Sequence, residues 1–254
     1  MSDQRHTALI LGGSSGLGLA SAIKLAKEAM NICIVHRTRK SDMQRLRQAI
    51  AEMESGGVTV SEFNKDALKK ETIEEVVASL ADKSVKVLLH SIAKGSLKPL
   101  HGDNSLNNLD LEITLHAMGH SWLEWTQALI KANKFDTNAR NLAFTSEGNA
   151  KVWPGYAAVS AAKATLEALM RSMAVEFAPL GMTTNCIQAG ATETPSFNMI
   201  PGSEILAENT RKRNPFHRLT SPEDVANVVY LMSRDEARWI NGTVIKADGG
   251  ESLR

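Results

Sequence analysis

Tyr156 is one of only two tyrosines in this 254-residue chain, and Lys163 follows it seven residues later in "GYAAVSAAKATLEAL", a run that is otherwise small and apolar. On a helix a step of seven turns through about 700°, which brings the two side chains within roughly 20° of one another, about 10 Å apart along the axis. A phenol and an ammonium on one stripe suit a reaction in which negative charge develops on a substrate oxygen. The phenol O–H waits where the oxyanion forms, and the neighbouring positive charge favours hydrogen bonding or proton release. Packing alone would also explain the stripe, so the rest of the chain has to decide.

A second such stretch is "LGGSSGLGLA", which places Gly12, Gly16 and Gly18 directly after the short apolar run "TALIL" (7–11). Glycines between a strand and a helix permit a tight turn and let backbone N–H groups and the helix N-terminus approach a pyrophosphate. A chain that binds NAD ends its second strand in a carboxylate that pairs with the ribose 2′-OH. Here the sequence is "VHRTRKSD": Arg37, Arg39 and Lys40 follow the strand, and no acid appears before Asp42. A carboxylate would repel a 2′-phosphate, whereas guanidinium groups bind it, so NADPH is the expected cofactor and Arg37 its first contact; a solvated basic loop is the alternative. Asp66 in "NKDA", just past the third strand, is expected to meet the adenine edge.

The elements that must position these groups alternate along the chain. "TALIL", "NICIV" (31–35), "VTVSEF", "VKVLLH" (85–90), "NLAFTS" (141–146), "MTTNCI" (182–187) and "GTVIKAD" (242–248) read as strands. Between them, "LGLASAIKLAKEAM", "SDMQRLRQAIAEMES" with Ser41 as N-cap, and "ETIEEVVASLAD" show helical spacing. Alternation from end to end predicts an α/β fold: a doubly wound parallel sheet of Rossmann type with helices on both faces, in a single domain covering 1–254. The segment from about 191 to 218, with its prolines, glycine and apolar residues, breaks the rhythm and reads as a lid over a binding site.

Hydrophobic residues make up 43% and charged residues 22% of the chain, with a net charge of +1, as in a soluble globular protein. That balance gives no reason to expect nucleic acid or an anionic membrane as partner. Cys33 and Cys186 sit alone in apolar runs and read as reduced core residues. With no apolar run long enough to span a bilayer and no secretory signal in "MSDQRHTALIL", the expected location is the cytoplasm.

Taken together, the glycine pattern, "NPFHRLTSPEDVANVVYLMS" and the closing "ADGG" resemble the short-chain dehydrogenase/reductase family over essentially the whole chain. In most of that family the active-site tyrosine lies four residues before the lysine. Here that position is Val159, and the Tyr-x6-Lys spacing is similar to a divergent branch, the bacterial enoyl-(acyl carrier protein) reductases. "HSIA" (90–93) and Ala189-Gly190 in "AGATET" depart from the main branch in the same direction. The Gly-x3-Gly-x-Gly loop is retained, and Ser146 stands ten residues before Tyr156, where the best-known enoyl reductases have a further tyrosine. That mixture resembles the NADPH-dependent subgroup.

The resemblance implies a homotetramer that reduces an enoyl thioester, on acyl carrier protein or coenzyme A, in fatty acid synthesis. It implies catalysis by Tyr156 and Lys163, with Ser146 in the main branch's serine position or merely capping a strand end. The cofactor would touch Ser14, Ser15 and Leu17 of the glycine loop, Ala67 beside Asp66, the backbone of Ser91, Ile92 and Ala93, and Gly190, Thr192 and Thr194, with Lys163 on the nicotinamide ribose. Thr194 is the family's candidate for the carboxamide, though it could also cap a helix before Pro195. Met199, Ile200, Ile205 and Leu206 are expected to line an acyl channel or to pack against the body. The main branch's helical asparagine is missing from "LHAMGHS". Two alternatives stay open: a carbonyl or alcohol oxidoreductase using NADP, and a catalytically silent NADP-sensing module.

His116 and His120 lie four apart on an expected helix, but the zinc-peptidase pattern needs a glutamate where this chain has Ala117, so no metal is expected there. Trp122 and Trp125 are expected at a subunit contact.

Overall fold

The computed structural model describes residues 6–254. Residues 1–5, part of the start read for a secretory signal, lie outside the described residues. The chain runs β1 (Thr7–Leu11), α1 (Gly16–Lys27), β2 (Asn31–His36), α2 (Met43–Ser55), β3 (Val60–Asn64), α3 (Lys70–Ser79), β4 (Val85–His90), α4 (Asn108–Leu115), a π-turn (His116–His120), α5 (Ser121–Lys131), β5 (Phe135–Ser146), α6 (Ala157–Glu176), β6 (Thr183–Ala189), α7 (Ser203–Arg213), α8 (Pro222–Ser233) and β7 (Val244–Ala247). The strands form one parallel sheet in the order β3-β2-β1-β4-β5-β6-β7. This is the doubly wound Rossmann arrangement that the alternating pattern predicts.

Strand periodicity explains the two cores. Ala8 and Ile10 of β1 and Ile32 and Ile34 of β2 face α1 and α8, whereas Leu9, Leu11, Cys33 and Val35 face α3, α5 and α6. A strand covered on both sides needs apolar residues at every position, and β1, β2 and β4 have them almost throughout. Both cysteines are buried and free. Among the described residues no helix is long and apolar enough to cross a membrane.

Three local expectations are corrected. A single 3₁₀ turn over 40–42 precedes α2, so the N-cap position falls to Asp42 rather than Ser41. The segment 191–218 is not irregular throughout, since α7 fills its middle. Trp122 and Trp125 are not at a surface. Both are fully buried between α5 and the sheet, where the indole N–H of Trp122 donates to Asn141 Oδ1 at 2.6 Å and that of Trp125 to the Ala67 carbonyl at 2.8 Å. A large ring with one donor suits a core position that offers an acceptor, and both sites do.

Candidate active site

β1 lies between β2 and β4, so the chain winds away from it in both directions and leaves a crevice at the carboxyl ends of the strands. A cavity of about 750 Å³ opens there, bounded by the glycine loop, the ends of β2, β4, β5 and β6, the start of α6 and the α7 segment.

The glycine loop is shaped for close backbone approach. Gly12 has φ +88°, and a Cβ on it would come within 2.5 Å of the Ser91 carbonyl oxygen. Gly16 has φ +51° and faces Thr194 across the cleft, where a Cβ would lie 3.2 Å from Thr194 Cγ2. The floor between the first helix and the β6 loop is therefore bare backbone at the N-terminus of α1, a site for a pyrophosphate. At the end of β2, Arg37 reaches the cavity and its guanidinium pairs with Asp66 at 3.1 Å, while the other carboxylate oxygen of Asp66 accepts from the Leu68 N–H. Arg37 and Asp66 thus stand at the edge of the cavity where the adenosine half of a dinucleotide would lie.

Tyr156 occupies the N-cap position of α6, just outside the helix, and Lys163 lies two turns in. The phenol oxygen is 3.4 Å from Ser146 Oγ at the end of β5. Ser146 Oγ also accepts from the Gly148 N–H at 3.2 Å, so the serine both caps the strand end and holds the phenol. Burial pushes the phenol pKa up, opposed by the bond to Ser146, which keeps Tyr156 a proton donor at neutral pH. Lys163 is buried and donates to the Phe144 carbonyl at 2.7 Å. Burial brings its pKa down to about 8, with the neighbouring Cys186 and the Glu167 carboxylate pulling the other way. It remains mostly ammonium at pH 7 and titrates within reach of ordinary assay conditions.

His90, the first residue of "HSIA", is fully buried and 2.9 Å from Ser121 Oγ. Burial, aided by the charge of Lys163, lowers its pKa to about 3, so it is a neutral structural residue that ties β4 to α5.

Of the catalytic, cofactor and substrate residues expected from the sequence, Gly18, Arg39, Lys40 and Ile205 do not line the cavity, and the others do. Gly18 lets α1 pack on the Gly12 carbonyl. Arg39 and Lys40 are exposed beyond the bend that Thr38 makes by bonding Asn64. Ile205 is 62% exposed, on the outer side of α7, while Leu206 faces inward. Thr194 Oγ1 accepts from the Phe197 N–H at 3.2 Å, bracing the 3₁₀ turn over 197–199, and the residue also borders the cavity. A charged cluster at the lid has no counterpart among the expectations from sequence. Arg213 of α7 pairs with Glu147 at 2.9 Å and with Glu251 at 3.8 Å, and Glu147 also pairs with Lys151. Glu251 is buried, its pKa raised by burial, and it accepts from the Ala191 N–H at 2.8 Å, fixing the turn after β6. These residues come from three distant segments, and no local pattern marks them.

Residues 12–252 match the family model described as enoyl-(acyl carrier protein) reductase. The chain belongs to the short-chain dehydrogenase/reductase family. It is an oxidoreductase of that family, and its relatives are distant. An NADPH-dependent aldehyde reductase-like protein of Arabidopsis thaliana chloroplasts is 26% identical over 96% of this chain and 93% of its own. The enoyl-(acyl carrier protein) reductase (NADH) of Aquifex aeolicus superposes with a TM-score of 0.83 at 25% identity, over 98% of this chain and 97% of that one. An actinorhodin polyketide ketoreductase variant solved with NADPH superposes with a TM-score of 0.85 at 21% identity over the whole of both chains, a likeness of fold.

Proposed function

We propose that the protein reduces the 2,3-double bond of an enoyl thioester, carried by acyl carrier protein or coenzyme A, with hydride from NADPH. The observation that carries this reading is the position of the phenol. The residue four before Lys163 is Val159, buried and unable to donate a proton, and the donor stands one helical turn earlier, at the mouth of α6. In a ketone the oxygen is bonded to the carbon that receives hydride, about 1.2 Å away. In an enoyl thioester hydride reaches C3 while charge collects on the thioester oxygen, three bonds off. A donor displaced along the helix serves the more distant oxygen.

The dinucleotide, when bound, supplies the hydride. The glycine loop would hold its pyrophosphate, Arg37 its 2′-phosphate and Lys163 its nicotinamide ribose, with Thr192 and Thr194 available to the nicotinamide end. Tyr156 then donates its O–H to the developing enolate oxygen, and the charge of Lys163 stabilises that state. Met199, Ile200 and Leu206 form the apolar side where an acyl chain rests. The description of the matching family model and the enoyl reductase of Aquifex aeolicus support the substrate class. The preference for NADPH rests on the missing acid at the end of β2. Participation in fatty acid synthesis, as a homotetramer in the cytoplasm, belongs to the same reading.

A second reading, reduction of a carbonyl compound, is favoured by the Ser146–Tyr156 contact and by the aldehyde reductase-like relative. An acceptor panel separates the two. NADPH oxidation is measured with crotonyl and longer 2-enoyl thioesters, 3-oxoacyl thioesters, simple ketones and aldehydes. Turnover of the enoyl thioesters supports the first reading; robust turnover of ketones with none of enoyl thioesters rejects it.

A further inference from the structure

Away from the cavity, the π-turn between α4 and α5 brings together three groups that the sequence spacing alone does not unite. We propose that His116, His120 and Glu124 form a binding site for a divalent transition-metal ion, with zinc as the reference ion. In an α-helix residues at i, i+4 and i+8 drift around the axis by about 40° per step. The wider π-turn over 116–120 removes much of that drift between the first two. The imidazole rings stack with centroids 5.0 Å apart, and Glu124, one turn on, reaches both. Its carboxylate lies 3.1 Å from His116 Nε2 and 3.7 Å from His120 Nδ1. One ligand atom from each of the three residues falls within 4.8 Å of the others.

Those separations suit a small cation. Bonds of about 2.0–2.1 Å in tetrahedral geometry put ligand atoms roughly 3.3 Å apart. The His116–Glu124 pair already meets that spacing, and the widest gap closes by about 1.5 Å of side-chain movement. All three side chains are partly exposed, between 34% and 47%, so they are free to turn and to exchange an ion with solvent. Two imidazoles and a carboxylate match the preference of zinc, nickel or cobalt rather than calcium or magnesium, and leave a coordination position to water. None of the three lines the cavity.

The role this geometry supports is structural. Met118, inside the same turn, faces inward and lines the cavity wall, and Ser121, the next residue after the turn, holds His90. A metal across the outer face clamps the turn whose inner face borders the active site. The zinc-peptidase pattern uses the glutamate beside the first histidine as a base; here the carboxylate lies four residues after the second histidine and is itself a ligand.

The test uses full-length, untagged, chelator-stripped protein titrated with zinc alone, followed by calorimetry and by competition with a chromogenic chelator. The expected result is one equivalent bound at micromolar dissociation constant, weakened at least tenfold by Glu124→Gln or His120→Ala and lost in the double variant His116→Ala/His120→Ala. Zinc should also raise the thermal midpoint of the wild type and leave that of the double variant unmoved, with NADPH binding intact in both as evidence of folding. No stoichiometric zinc in the wild type, or equal affinity in the double variant, overturns the site.

Discussion

Arg37→Gln offers a quantitative probe of how the nucleotide is read. In the structure the Arg37 guanidinium lies 3.1 Å from Asp66 Oδ2, and its side chain is 62% exposed. A charge-assisted hydrogen bond to a phosphate is worth about 1.5–3 kcal/mol, and this exposure argues for the lower half of that range. Losing it costs roughly tenfold in kcat/KM for NADPH, since about 1.4 kcal/mol is a factor of ten. The substitution also leaves the Asp66 carboxylate unpaired beside a doubly charged phosphate. At about 7 Å in high dielectric each charge pair is worth roughly 0.6 kcal/mol, so repulsion adds a further factor of several. The combined loss for NADPH is therefore on the order of 10–100-fold, while NADH, which lacks the phosphate, changes by less than about threefold. Asp66→Asn in the Arg37→Gln background should recover the repulsive part, and 0.5 M salt should shrink it. Steady-state kinetics with both nucleotides read all of this directly. An equal loss for NADPH and NADH, or no loss for either, would refute the assignment of Arg37.

Other consequences can be measured in parallel. Tyr156→Phe removes only the donor and should lower kcat by about 10²–10⁴ while NADPH still binds, as seen by fluorescence titration; unchanged turnover removes the phenol from the chemistry. Lys163 has a folded-state pKa lowered to about 8 by burial. The unfolded chain therefore holds more protons between about pH 8 and 10.5, and stability gains from this group as pH rises through that window. Lys163→Met should flatten that rise in denaturation midpoints, and wild-type kcat/KM should fall above about pH 8 as the ammonium is lost. His90, lowered to about 3, gives a dependence of the same sign in acid: stability is lost as pH falls from about 6.5 toward 3, by up to about 1.4 kcal/mol per pH unit, and His90→Gln should remove that slope. Trp122→Phe keeps most of the ring but leaves Asn141 Oδ1 with only the long 3.5 Å contact from Thr126 Oγ1, so urea denaturation should show a loss of about 1–3 kcal/mol with no change in oligomeric state. A shift in assembly without a stability loss would restore the subunit-contact reading.

Much of this molecule is legible in the linear chain because its signals are local. The glycine loop needs positive φ and bare backbone at fixed offsets from a strand, so Gly12 and Gly16 declare themselves. Tyr156 and Lys163 share one helix and its cap, so their spacing survives folding. Residues whose role depends on where the chain bends do not declare themselves. Arg37 faces the cleft while Arg39 and Lys40 turn to solvent, because Thr38 is pinned to Asn64. Leu206 and Ile205 are adjacent, and only the orientation of α7 decides which one lines the cavity. The tryptophans read as interface residues by composition, but the acceptors that bury them, Asn141 and the Ala67 carbonyl, come from other elements. The Glu147–Arg213–Glu251 cluster spans more than a hundred residues of sequence and appears only when β5, α7 and the C-terminal turn meet.

The destination of the hydride is the most direct measure of what the displaced phenol is for. NADPH labelled with deuterium at C4 is incubated with the enzyme and an equimolar mixture of a 2-enoyl and a 3-oxoacyl thioester, and the products are analysed by mass spectrometry and NMR. Deuterium at C3 of a saturated thioester, with the oxoacyl compound left intact, is the outcome expected of a donor serving the distant oxygen. Deuterium on the carbinol carbon of a 3-hydroxyacyl product, with the enoyl thioester untouched, would contradict it.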